Sequence, residues 1–197
     1  MRAAGVDRRR RQAIAELSAK FGRASIRGVE VGVYNGRLAN ALLKFLPNVR
    51  SLWLVDSWRE FPADHPDRQR HAYARRSQAQ WDETLAGVER TLAAHKARTV
   101  LARMQSLDAA RLAADMGLMF HFAYVDAGHY YADVLGDMAW FDLILPGGMV
   151  CGDDYQGTEE RRGNWGVGKA VDEFAKSRGL TVRIHGRNWF IDKPGAL

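Results

Sequence analysis

Three carboxylates, Asp126, Asp153 and Asp154, and one imidazole, His129, stand at the ends of short apolar runs. One run ends in Val125-Asp126-Ala127-Gly128-His129-Tyr130 and the other in Gly152-Asp153-Asp154-Tyr155. If two neighbouring parallel strands carry these runs, three like charges meet at one sheet edge and disfavour one another unless a cation joins them. All-oxygen ligands suit magnesium, with manganese or calcium as alternatives, and argue against zinc. Asp153-Asp154 by itself is an ordinary turn pair; joined to Asp126 it reads as a metal site. His129 follows Asp126 by three residues at the start of a helical stretch, so it can point into the same cleft. An imidazole titrates near pH ~6.5 and can serve as a base at neutral pH, although a histidine can also merely line a helix start. His121 lies inside its run and reads as a core residue. His65, His71, His95 and His185 form no constellation.

A second group surrounds the first strand-like run, which ends in Glu30-Val31-Gly32-Val33-Tyr34-Asn35-Gly36 and leads directly into a helical stretch. Glycines at 32 and 36 let the backbone turn tightly and approach a ligand, and the helix start offers free N–H groups to a carboxylate. Asp56 ends the next run, 24 residues beyond Gly32, where an acid can accept hydrogen bonds from ribose hydroxyls. Ser57 and Trp58 follow; the indole can cover an adenine face or pack within the loop. The run after that ends in Arg103-Met104-Gln105-Ser106, whose polar tips belong on the other side of the same adenine.

The elements that must position these residues alternate. Strands are expected near 28–33, 51–56, 98–103, 120–126, 148–153, 180–185 and 188–193, and helices near 8–21, 37–46, 67–95, 107–115, 130–143 and 167–178, the pattern of an α/β fold. The last two strands are separated only by Gly186 and Arg187, so they should form an antiparallel hairpin. Loops at 57–66 and 155–166 follow the carboxyl ends of strands, where open α/β sheets bind ligands.

With 197 residues, 47% of them hydrophobic, the chain suffices for one core and is short for two. One domain spanning 1–197 is expected, with a basic helix in 1–27 ahead of the α/β core in 28–193. The net charge of +6 lies wholly in residues 1–27, which hold eight basic groups against two acids; the other 170 balance. Such a helix is more often a solvated face than a nucleic-acid device. No run approaches the ~18 apolar residues of a membrane span, and no apolar signal segment follows the early arginines. The expectation is a cytoplasmic protein, with no membrane partner, nucleic acid disfavoured, and a homo-oligomer left open. Cys151 is the single cysteine, which excludes an internal disulfide and suggests a small buried strand residue.

Taken together the motifs resemble the class I methyltransferases, and among them the metal-dependent O-methyltransferases similar to macrocin and mycinamicin sugar O-methyltransferases. The matching stretches are Val29–Gly36, Val55–Trp58, Asp126–Tyr131, Leu145–Gly148, Gly152–Tyr155 and Gly168–Phe174. The resemblance implies a Rossmann-like sheet of seven strands in the order 3-2-1-4-5-7-6, strand 7 antiparallel, with helices on both faces. It implies S-adenosylmethionine as cofactor, bound by Glu30, Gly32, Tyr34, Asn35, Gly36, Asp56, Ser57, Trp58, Gln105, Ser106 and Asp126. It further implies Mg2+ (or Mn2+) on Asp126, Asp153 and Asp154, His129 as general base, and a small-molecule hydroxyl as acceptor. Catechol O-methyltransferase looks like a cousin, with a lysine base three residues after its first metal-binding aspartate. Met104 stands where the family often has glycine, and the chain is shorter at its N-terminus than the macrolide enzymes. Two other readings remain: a metal-independent nucleic-acid methyltransferase, and a non-catalytic nucleotide- or metabolite-binding module.

Overall fold

Alternate residues along the central strands enter opposite cores. Leu52 and Leu54 belong to one core and Trp53 and Val55 to the other; Met149 and Cys151 oppose Val150, and Phe190 opposes Trp189 and Ile191. This is the period of two that extended chain imposes, and burial on both faces explains why the runs are almost continuously apolar. The computed structural model describes residues 7–155 and 165–196.

The seven strands are β1 (Ile26–Val31), β2 (Val49–Asp56), β3 (Thr99–Arg103), β4 (Phe120–Val125), β5 (Ile144–Gly152), β6 (Val182–His185) and β7 (Asn188–Asp192). They form one sheet in the order β3-β2-β1-β4-β5-β7-β6. The first five pair in parallel, whereas β7 runs antiparallel to both β5 and β6. The order reverses between β1 and β4, which opens a crevice beyond their carboxyl ends. Cys151 is buried in β5.

Helices α1 (Arg8–Phe21), α2 (Arg37–Phe45) and α4 (Gln78–Leu92) cover one face; α5 (Ser106–Asp115), α6 (Tyr131–Asp137) and α7 (Val167–Ser177) cover the other. A short α3 (Asp67–Arg70) lies between β2 and α4. The continuous helix expected over 67–95 is corrected to several pieces. Ser77 and Gln80 form a capping box, the Ser77 hydroxyl accepting from the Gln80 N–H and the Gln80 side chain accepting from the Ser77 N–H, while Arg76 is extended. That reciprocal pair starts a new helix. The helix expected over 130–143 likewise ends at Asp137 and continues as a 3₁₀ segment, Met138–Leu143.

The basic first helix is more than a solvated face. Asp7 caps it by accepting from the Arg10 N–H at 3.0 Å, and Ala13, Ile14, Leu17 and Phe21 place its apolar stripe in the core. Lys20 pairs with Asp192 at 2.7 Å and Glu16 with Arg183 at 2.9 Å, tying it to the closing hairpin. Among the described residues no helix is long and apolar enough to cross a membrane.

Candidate active site

At the carboxyl ends of β1 and β4 the backbones approach so closely that only a hydrogen fits on residue 32. A Cβ there would lie 2.1 Å from the Asp126 carbonyl oxygen, and Gly32 has φ +87°. The turn that follows is organised by Asp56. Its Oδ2 accepts from the Val33 N–H at 3.0 Å and the Tyr34 N–H at 2.8 Å, and its Oδ1 from the Trp58 N–H at 2.9 Å. Tyr34 and Trp58 both have positive φ, 52° and 40°, a conformation uncommon outside glycine that needs such support. Burial pushes the Asp56 carboxyl above its ordinary pKa, with the amides of Trp58, Tyr34, Val33 and Ser57 pulling the other way. Trp58 is fully buried and donates its indole N–H to the Tyr34 carbonyl at 2.9 Å, so the ring supports the turn from within the core. Asn35 Oδ1 accepts from the Arg37 N–H at 3.3 Å, and Gly36, with φ +72°, opens α2.

Beside this turn, Glu30 is buried, and its Oε2 has no hydrogen-bond partner among the described residues. Burial, then the charge on Asp126, raises its pKa well above the ordinary value, opposed by Arg10. Such an orphaned oxygen wants a donor or a cation, and the ammonium group of a methionine moiety fits that requirement. A cleft of about 340 Å³ separates the loops after β2 and β3, with Ser57, Arg103, Met104, Gln105 and Asp108 among its lining residues. Gln105 caps α5 without a side-chain bond. Ser106 Oγ accepts from the Trp140 indole N–H at 3.0 Å and hydrogen-bonds Asp137, whose pKa burial pushes up to about 7. Another depression, about 400 Å³, lies between α1 and α2 at the opposite end of the sheet and holds none of the candidate residues.

The loops after β4 and β5 bring Asp126, His129 and Asp154 together, with one ligand atom of each within 4.8 Å of the others. His129 Nε2 stands 3.3 Å from Asp126 Oδ1 and 3.2 Å from Asp154 Oδ2. Burial raises the Asp126 pKa, while its hydrogen bond to His129 lowers it. Asp153 is engaged elsewhere: its Oδ2 takes a salt bridge from Arg9 Nη1 at 2.8 Å, and its Oδ1 lies 3.8 Å from Arg187 Nε. Asp126, Asp154 and His129 offer oxygen and imidazole donors that fit a divalent cation; Asp153 is not in that trio.

Several contributors escaped the sequence reading. Trp165 stacks on the His129 ring with centroids 3.9 Å apart and an 11° interplanar angle, and the Gly166 N–H donates to the His129 carbonyl at 2.9 Å. The only hint was an aromatic at the end of the 155–166 loop, of which 156–164 fall outside the described residues. Buried Asp67 accepts from the Tyr130 hydroxyl at 2.8 Å and the Tyr73 hydroxyl at 3.3 Å, which pins the segment after β2 to the start of α6, next to His129. Arg9 reaches the site across 144 residues of sequence. His121 is satisfied, its Nδ1 accepting from the Arg27 N–H at 3.0 Å, but it is half-buried at the start of β4 and not the core residue expected.

This sheet, with its glycine turn after β1 and acid at the end of β2, defines a class I S-adenosylmethionine-dependent methyltransferase. Residues 29–155 match the family described as a methyltransferase domain, and the chain belongs to that family. No curated protein sequence matches it. Among solved structures, the O-methyltransferase NovP superposes with a TM-score of 0.65 at 18% identity, over 95% of this chain and 78% of that one. The O-methyltransferase TomG from Streptomyces achromogenes, involved in tomaymycin synthesis, gives 0.63 at 14% identity, over 100% and 84%. The MycE methyltransferase of the mycinamycin biosynthetic pathway, in complex with Mg, SAH and mycinamycin VI, gives 0.56 at 12% identity, over 91% of this chain and 48% of MycE. At these identities the likeness is one of fold.

Proposed function

We propose that this methyltransferase acts on a hydroxyl oxygen of a small molecule such as a sugar, glycoside or other natural product, with a divalent cation and His129 assisting. The observation that carries the proposal is the placement of His129 Nε2 within 3.3 Å of carboxylate oxygens from both Asp126 and Asp154. Such an arrangement addresses the weak acidity of an alcohol. S-adenosylmethionine supplies an electrophilic methyl group, and a cation held by Asp126 and Asp154 supplies Lewis-acid stabilisation of charge developing on the acceptor oxygen.

In this reading His129 is the base for the acceptor's hydroxyl proton, its Nε2 being open to accept once a cation takes up the Asp126 and Asp154 oxygens beside it, and Trp165 keeps the imidazole plane fixed through stacking. Glu30 receives the ammonium end of the cofactor, and the Asp56-supported turn holds its ribose. Ser57, Met104 and Gln105, which line the cleft beside that turn, would flank the adenine. Residues 28–193 act as one catalytic unit to which the first helix is joined. The ion pairs that Arg9 and Lys20 make within the chain weigh against reserving this helix for nucleic acid.

The test is methyl transfer from labelled cofactor to a panel of sugars, glycosides, catechols and hydroxylated natural products, with magnesium or with a chelator. Product is expected with metal and loss of it with chelator. His129→Ala should lower turnover by about 100-fold or more, the usual weight of a positioned base, with cofactor affinity unchanged. Transfer that survives both the chelator and this substitution would refute the proposal.

A further inference from the structure

We infer that Arg187 is a resident cation of the acidic cluster that competes with the divalent metal for Asp154, leaving a site that holds its metal weakly. The inference rests on the proposed reading of Asp126 and Asp154, beside His129, as the carboxylates that hold the cation. Arg187 lies in the β6–β7 turn, where its carbonyl accepts from the Tyr155 N–H at 3.1 Å. From there its guanidinium pairs through Nη2 with Asp154 Oδ1, while Nε approaches Asp153 Oδ1. Asp154 therefore divides its two oxygens: Oδ1 to Arg187, Oδ2 to the side of His129.

Arg9 acts in the same sense on Asp153. It is held there by a buried relay, in which the Tyr124 hydroxyl donates to Asn188 Oδ1 at 2.9 Å and Asn188 Nδ2 donates to the Arg9 carbonyl at 3.1 Å. Tyr124 and Asn188 are both buried, so the guanidinium is anchored by its own backbone. Two arginines thus face three carboxylates. Oxygen sites for hard cations tune their affinity through ligand charge, and a guanidinium cannot give up its charge at any working pH. Two of the three carboxylate charges are already balanced, and a metal that draws on Asp154 Oδ1 competes there with the Arg187 guanidinium.

The experiment is Mn2+ binding, followed by the EPR signal of free ion, to the wild-type protein and to Arg187→Gln, Arg187→Lys and Arg183→Gln. Arg183 lies on the same hairpin but pairs with Glu16 and Asp192, so its replacement controls for damage to the hairpin. Arg187→Gln should bind Mn2+ about tenfold tighter or more, the effect of removing one positive charge from a dication's surroundings even with water-like screening. Arg187→Lys and Arg183→Gln should stay near wild type. If wild type binds Mn2+ and Arg187→Gln binds equally or more weakly, the competition is refuted while the metal site stands. If neither binds Mn2+ at millimolar concentration, the metal site itself fails and the inference falls with it.

Discussion

Asp56→Asn separates two roles for the acid at the end of β2, ribose ligand and organiser of the turn. The isosteric amide can keep its oxygen toward the Val33 and Tyr34 N–H groups, but its NH2 then faces the Trp58 N–H, donor against donor. Leaving that amide without an acceptor costs about 1–3 kcal/mol, and the two retained bonds drop from charge-assisted to neutral, roughly halving their strength. Release of a buried carboxylate whose pKa is raised by burial offsets part of this, for a net loss of about 2 kcal/mol. In a chain of this size that lowers the Tm by about 4–8 °C. The cofactor should suffer more than the fold, because Tyr34 and Trp58 hold positive φ under the same carboxylate. Thermal melting with and without S-adenosylhomocysteine, together with calorimetric titration of that ligand, measures both effects. A variant that melts with the wild type refutes the organising role even if ligand binding falls, since a pure ribose contact would weaken binding and spare the fold.

Gly32→Ala is expected to be harsher. Its Cβ meets the backbone oxygen of Asp126 at 2.1 Å and its φ is +87°, so β1 and β4 must separate; a loss of about 3 kcal/mol or more and failure to bind S-adenosylhomocysteine should appear in the same two assays. Asp137 gives a pH signature. With its pKa pushed up to about 7 by burial, the native state binds a proton that the unfolded state has released between pH ~4 and ~7, so this group's contribution makes stability fall as pH rises through that window and level off above it. Asp137→Asn should flatten that slope in urea unfolding followed from pH 5 to 8 and be more stable than wild type at pH 8; an unchanged slope would refute the effect of burial on this carboxyl.

The strands, the closing hairpin and the crevice were legible because each rests on local pattern, whereas the strand order came with the resemblance to the class I methyltransferases. Apolar runs at regular spacing demand a two-sided sheet, Gly186-Arg187 demands a hairpin, and glycines after β1 mark a close approach. The capping box at Ser77–Gln80 is an equally local signal, but amphipathic periodicity continues across it and masks the break. Trp58 shows the limit of motif reading: an aromatic next to a cofactor acid can serve the cofactor or the core, and only packing distinguishes them.

The acidic cluster carries that limit further. Successive residues of an extended chain face opposite ways, so Asp153 and Asp154 cannot both point into one site unless the backbone turns between them. The turn comes at Asp154, at φ +62°, and the oxygens not spent on the cluster are met by guanidinium groups from Arg9 and Arg187. Neither arginine is adjacent in sequence to Asp126 or His129, and neither belongs to a motif. Composition counts such residues as surface charge; the fold makes them part of the electrostatics of the site. The carboxylates a sequence can point to therefore set an upper bound on the charge available to a cation, and the actual value depends on which cations the chain itself has already brought to them.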